Sequence, residues 1–189
     1  MTTHTLAHWT GLLLIALSLS AHRPVPVTAF RGEKGKITFK SDAMLEVIQA
    51  QSKKLRGVID PANNGFAWSV EVNSFEGFNG PLQREHFNEN YMESDKFPKA
   101  SFAGKIIEQV DLQVEGTYAV RAKGKITVHG IEQERIIKSQ VVVKGKRIHI
   151  TSTFTVPLSD HNITIPRIVY QKIAEEITVT IDADLKPAD

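Results

Sequence analysis

The sequence predicts an all-β protein: an antiparallel barrel of about eight or nine strands, with one or two short helices. Three observations carry that reading. From Gly35 onward apolar and polar residues alternate with period two, the spacing that gives a strand one apolar and one wet face. Clusters of turn-forming residues separate the alternating runs. Between most runs no segment has the length and pattern of a helical crossover, so a parallel α/β sheet is disfavoured.

The runs follow in order. Ile37 and Phe39 alternate with Lys36, Thr38 and Lys40, and Phe66, Trp68, Val70 and Val72 alternate with Ala67, Ser69 and Glu71. Tyr118, Val120, Ala122, Ile126 and Val128 line one face of a longer run. Its glycines, Gly116 and Gly124, suit the sharp bend of a barrel corner and favour a barrel over a sandwich. Ile148, Ile150, Phe154 and Val156 form a further run, and Ile177, Val179, Ile181, Ala183 and Leu185 the last. Weaker strands are expected near Val47, near Ile59, at Phe102 to Ile106 and at Ile136 to Val143. Hairpin loops fall at Asp60 to Gly65, at His129-Gly130 and at Lys144-Gly145-Lys146.

Two segments depart from the pattern. Residues Gly80 to Met92 read as a helix, because Pro81 suits a first helical position and Leu82–His86 and Phe87–Tyr91 are spaced four apart. Residues Pro157 to Glu176 begin as a loop, with a short helix expected after Pro166 around Ile168, Val169, Ile173 and Ala174. In a small barrel such excursions plug or cover the ends.

Composition narrows the function. Lys and Arg number 23 against 21 Asp and Glu, a net charge of +2, and the basic residues are dispersed. That builds no field for a nucleic-acid backbone. With no cysteine, disulfides, thiolate metal sites, a cysteine nucleophile and a lipid-modified N-terminal Cys are all excluded. Leu12 to Leu19 form a short apolar run followed by Ser20 and Ala21, too short to span a bilayer but of signal-peptide length. The expected organisation is a signal peptide over residues 1–21, a loose mature N-terminus over 22–34 and the barrel over 35–186, exported and not membrane-spanning once the signal is removed.

Two long stretches carry a resemblance. SFEGFNGPLQREHFNENYMESDKFPKASFAGKI, around Phe75 to Ile107, and LSDHNITIPRIVYQKIAEEITVTIDADL near the C-terminus resemble the signature region and the closing loop, helix and strand of the YceI-like family. The likeness runs from about Gly35 to Leu185. The resemblance implies an extended, lipocalin-like antiparallel barrel around an elongated apolar cavity. It also implies a polyisoprenoid or similar long-chain ligand and a periplasmic location. Arg84-Glu85-His86-Phe87 departs from the family pattern as a longer helix region.

The candidate cavity residues are the inward apolar set Phe39, Phe66, Trp68, Phe102, Tyr118, Val120, Ile126, Ile150, Phe154, Val179 and Ile181. Periodicity alone leaves them open as a filled core, since an eight-stranded barrel stands between a filled interior and one holding a single ligand; the resemblance favours a cavity. Arg84, His86, His161 and Arg167, in the two excursions, are the candidates to face a charged head group. Alternatively they bond backbone and fix those segments.

Catalytic readings have less support. Glu85, His86 and Glu89 share a helix without a metal motif, and nothing in the spacing of His86, His129, His149 and His161 requires a metal site. Adjacent Ser159, Asp160 and His161 cannot take up a relay geometry and read as a turn. A small-molecule reaction using His86 with His161 is the remaining enzymatic alternative. The reading is a binding protein, not an enzyme, with no catalytic residue, no metal and no cofactor. Its expected partner is an apolar lipid, and a homodimer is allowed.

Overall fold

The structure is a computed structural model and describes residues 28–188. The expected signal peptide lies outside the described residues. Eight strands run in chain order: β1 (Phe30–Asp42), β2 (Val47–Asp60), β3 (Gly65–Glu71), β4 (Lys99–Ile106), β5 (Gly116–Val128), β6 (Ile131–Lys144), β7 (Arg147–Pro157) and β8 (Glu176–Pro187). Each pairs antiparallel with the next, and β8 pairs with β1, closing the barrel.

The hairpins follow from local chemistry. His129 and Gly130 take φ of 50° and 71°, the pair of positive angles that a two-residue type I′ turn requires. At the β2–β3 turn Asp60 accepts from the Ala62 backbone N–H (3.0 Å) and the Asn63 amide (2.8 Å). Gly104 and Gly124 pair directly across β4 and β5. A Cβ on either would stand 2.1 or 2.2 Å from the facing backbone oxygen, so no side chain fits where these strands press together.

Three expectations change. The weak strands near Val47 and Ile59 are the two ends of one 14-residue strand, β2. Its period is hard to read because Ser52 and Gly57 occupy buried positions. The barrel begins at Phe30, within the segment expected to be loose; Phe30 is buried and pairs with Ile59. After Pro166 the chain makes only a single 3₁₀ turn, Arg167–Val169, because Ile168 finds no surface to cover and is 91% exposed.

The earlier excursion forms a short helix, α1 (Pro81–His86), widening into a π-type turn over Phe87–Tyr91. The segment leading into it is tied to β2 through paired backbone bonds between Gln51 and Glu76, both 2.8 Å. The barrel wall is not uniform. β6 pairs with β7 only from Ser139 to Lys144, so Ile131–Lys138 and the end of β7 diverge. The 3₁₀ turn Leu158–His161 fills the divergence: Gln133 donates to the Asp160 carbonyl (2.8 Å), Arg135 pairs with the Asp160 carboxylate, and His161 Nδ1 donates to the Ile131 carbonyl (3.1 Å).

Inside, the apolar faces form two clusters. One gathers Phe30, Ile59, Phe66, Ile106, Val120, Val141, Ile148, Ile150 and Leu185 at the end holding the β2–β3 and β6–β7 turns. Leu112, from the β4–β5 loop, belongs to the same cluster and is 0% exposed. The other gathers Ala50, Leu55, Val70, Phe75, Ile181 and Ala183 toward the end covered by the two excursions.

Candidate ligand-binding cavity

The covered half of the barrel is hollow. A cavity of about 200 Å³ is walled by the ends of β1, β2, β3, β4, β5, β7 and β8 that face the excursions. Alternation puts Ile37 and Phe39 of β1, Trp68 and Val70 of β3, Phe154 and Val156 of β7, and Ile177, Val179 and Ile181 of β8 on its wall. Ser41, Ser69, Ser101, Gln83 and Tyr91 are its polar lining, and among the described residues no charged side chain lines it. A wall of this kind takes an apolar molecule and offers an ionised group nothing to offset its desolvation.

Trp68 and Phe102 stand where the hollow and filled halves meet. They are directly paired across β3 and β4. A Cβ at Gly57 would lie 2.1 Å from a Trp68 ring carbon, so that glycine is the seat on which the indole rests. Phe102 packs on Phe66, ring centroids 4.8 Å apart, on the filled side.

The roof is aromatic. Phe87 stacks on Phe39 (5.2 Å, 15°), and Phe75 and Phe78 approach the same ring at 5.5 and 5.8 Å. Met92 and Tyr91 from the first excursion and Leu158, Ile163 and Ile173 from the second complete the lining. Burial raises the Tyr91 phenol pKa, so the group stays neutral.

Both covers are tied to the β5–β6 hairpin through His129. Its Nδ1 donates to the His161 carbonyl (3.0 Å) and its Nε2 pairs with the Glu93 carboxylate (2.9 Å). Hydrogen bonds from Lys96 and His129 hold Glu93 below the usual carboxylate range. The Ala174 N–H donates to the buried Ser41 hydroxyl (2.8 Å), fixing the second cover to β1.

Of the eleven inward residues singled out by alternation, Phe39, Trp68, Phe102, Ile126, Phe154, Val179 and Ile181 line the cavity. Phe66, Val120 and Ile150 are buried in the filled cluster instead, and Tyr118 packs against it with its hydroxyl donating to the Val114 carbonyl (2.9 Å). They point inward as the period requires, but into the half where side chains already meet. The roof residues Phe75, Phe78, Phe87 and Met92 escaped the periodicity because they lie outside any strand. Their excess of aromatic side chains in a short polar stretch is the signal that could have marked them.

None of the four cationic candidates touches the cavity. Arg84 is exposed and donates to the Asn73 carbonyl (3.0 Å), and His86 and Arg167 are exposed on α1 and the 3₁₀ turn. His161 is wholly enclosed, its Nε2 facing no partner among the described residues, and burial lowers its pKa. His149 sits on the outer wall of β7 beside Asp184 (3.0 Å), apart from the His129–His161 pair. No group of three or more metal-ligating side chains assembles among the described residues. Ser159-Asp160-His161 is the expected turn, ended by Asn162 at φ 57°.

An eight-stranded meander closed on itself, hollow at one end and roofed by the segment after β3, has a matching family model. The YceI-like domain aligns with residues 29–185. The chain belongs to the YceI-like family. Solved structures agree in fold. A polyisoprenoid-binding domain from Saccharophagus degradans implicated in plant cell wall breakdown superposes with a TM-score of 0.70 at 12% identity, over 86% of this chain and 99% of the other. BcnA of Burkholderia cenocepacia gives 0.67 at 18%, over 80% and 96%. A YceI protein of Campylobacter jejuni gives 0.56 at 16%, with both chains fully covered. No curated protein matches the sequence.

Proposed function

We propose that this YceI-like protein is an exported lipid-binding protein that holds the tail of a polyisoprenoid, or of a similar long apolar chain, in the hollow half of its barrel. The observation that carries the reading is the cavity, predominantly apolar and without a charged group among the described residues. Each methylene buried there contributes about 0.8 kcal/mol, so even a short inserted segment offsets much of the cost of ordering a flexible chain. The polyisoprenoid-binding domain of Saccharophagus degradans, alike in fold, supports the same ligand class. Arg84, His86 and Arg167, exposed on the two covers, would meet a head group left outside, whereas His161 would serve the wall. The chemistry is binding, not catalysis. A filled barrel acting only as an interaction module would leave this cavity unexplained.

Native mass spectrometry of freshly purified protein, followed by organic extraction, tests the proposal. A bound species that dissociates as an isoprenoid or other long-chain lipid supports it. Protein of bare mass that also takes up no prenyl alcohol removes it.

A further inference from the structure

Building on that lipid-binding reading, we infer that the roofed end of the barrel is a docking surface for a phospholipid bilayer, from which the cavity is loaded. Apolar side chains left in water gather at this end. Among the described residues nine large apolar side chains are exposed, and six of them are Met44, Leu45, Val47, Leu82, Ile168 and Tyr170. These six lie on or beside the β1–β2 turn and on the two covers. Scattered singly such residues mean little, but gathered on one face they mark a contact surface. Hydrogen bonds make the three segments one face. The Leu45 N–H donates to the Gln171 carbonyl (2.9 Å), the Asn79 amide to the Val47 carbonyl (3.1 Å) and the Gln83 amide to the Glu46 carboxylate (3.0 Å).

Two features fit this face to a bilayer. It is continuous with the cavity: Ser41 and Ile48 flank the β1–β2 turn, Gln83 follows Leu82, Ile173 lies three residues beyond Tyr170, and all four line the space. An apolar chain passing from membrane to barrel at this end stays out of water, which an aqueous route does not allow. The charges suit lipid phosphates. Arg167 and Lys172 are exposed on either side of Ile168 and Tyr170, and neither forms an ion pair among the described residues. The acids of the β1–β2 turn are engaged: Asp42 pairs with Lys40 (2.6 Å), and Glu46 accepts from the Asn79 and Gln83 amides. On α1 and the turn after it Arg84 and His86 stand beside Glu85 and Glu89, and Glu175 and Glu176 lie where β8 begins. Apolar side chains with a tyrosine ring among them and cations at their flank are the groups that seat at the headgroup level of a membrane.

The chain has no cysteine, so one environment-sensitive fluorophore can be attached at a chosen end. Ile168→Cys places it on the roofed end, and Val114→Cys places it on the exposed β4–β5 loop at the opposite end. Vesicles of equimolar phosphatidylethanolamine and phosphatidylglycerol are then titrated in. Emission from the Ile168 site should move to the blue and rise with lipid, while emission from the Val114 site stays as it is in buffer. Neither Met44 nor Ile168 lines the cavity. The double variant Met44→Asp, Ile168→Asp should therefore slow farnesol uptake from these vesicles by about tenfold and leave uptake from cyclodextrin unchanged. A silent Ile168 probe, an equal response at both ends, or vesicle uptake undiminished in the double variant overturns the docking surface. So does a blue shift that grows with protein concentration in the absence of lipid, which would give the face to a second copy of the chain. In each of these cases farnesol uptake from cyclodextrin by the unaltered chain leaves the lipid-binding reading intact, and its absence overturns both.

Discussion

The two halves of this barrel are built from the same strands and the same alternation, yet one is solid and the other hollow. On β7, Ile148 and Ile150 lie at the solid end, while Phe154 and Val156, in contact with the same core cluster, border the cavity. What differs is what closes each end. At the solid end short turns and the Leu112 loop bring side chains from opposite walls together, and Ile148, Leu112 and Leu185 are at most 1% exposed. At the hollow end β6, from Ile131 to Lys138, is not paired with β7, the wall widens, and two long excursions roof the space instead of filling it. Inward orientation and burial are thus separate properties: alternation sets the first, and the connections between strands set the second.

The comparison can be broken most sharply with a charge. Ile148→Asp should abolish folding, because an unpaired carboxylate would be held among side chains that leave no room for water. Phe154→Asp should leave a folded barrel, seen by circular dichroism, that takes up no prenyl alcohol. Equal loss of fold in both would mean that the halves do not differ. Alanine scales the same contrast: Ile148→Ala should cost about 3 kcal/mol in denaturant unfolding and Phe154→Ala about half that, since a residue bordering a cavity has fewer atoms around it to lose.

A smaller effect should come from pH. His161 is buried and its pKa is lowered from 6.5, so the native state favours the neutral ring. Its contribution is complete above the unfolded pKa and falls as protons are taken up below about pH 6.5. Glu93, whose pKa is lowered from 4.5, acts in the same direction at more acid pH. Melting temperature should therefore drop on acidification through the window just below 6.5, and His161→Gln should flatten that part of the profile. A melting temperature that rises there would contradict the sign. Least of all, Arg135→Ala should shift global stability by less than about 1 kcal/mol, because the Arg135–Asp160 pair is about one-third exposed. Amide exchange in the Leu158–His161 turn should quicken nonetheless.

Much of this was legible in the sequence. Period two, the His129-Gly130 turn and Gly124 led to the barrel, and the long stretches around Phe75 and Leu158 to its family. Part of the cavity was legible too: Phe39, Trp68 and Phe154 could be placed inward from alternation. What could not be read was the boundary between solid and hollow. Phe66 and Trp68 are two residues apart on one strand face, and only the glycine beneath the indole and the ring of Phe102 decide that one is walled in while the other borders a void. Nor could the roof be assembled, because Phe75, Phe78 and Phe87 meet Phe39 only through the fold of an irregular segment. Phe30 was misplaced for the opposite reason: a lone aromatic beside a proline-rich stretch shows no period, yet pairing with Ile59 buries it.

Methyl-resolved NMR during titration with farnesol tests the division of the barrel most directly. The methyl signals of Ile37, Ile126, Ile177 and Ile181, on the cavity wall, should shift and saturate together, while those of Leu112, Ile148 and Leu185 stay in place. Saturable shifts in Leu112 and Ile148, or none anywhere, would contradict a ligand held in the hollow half above a solid floor.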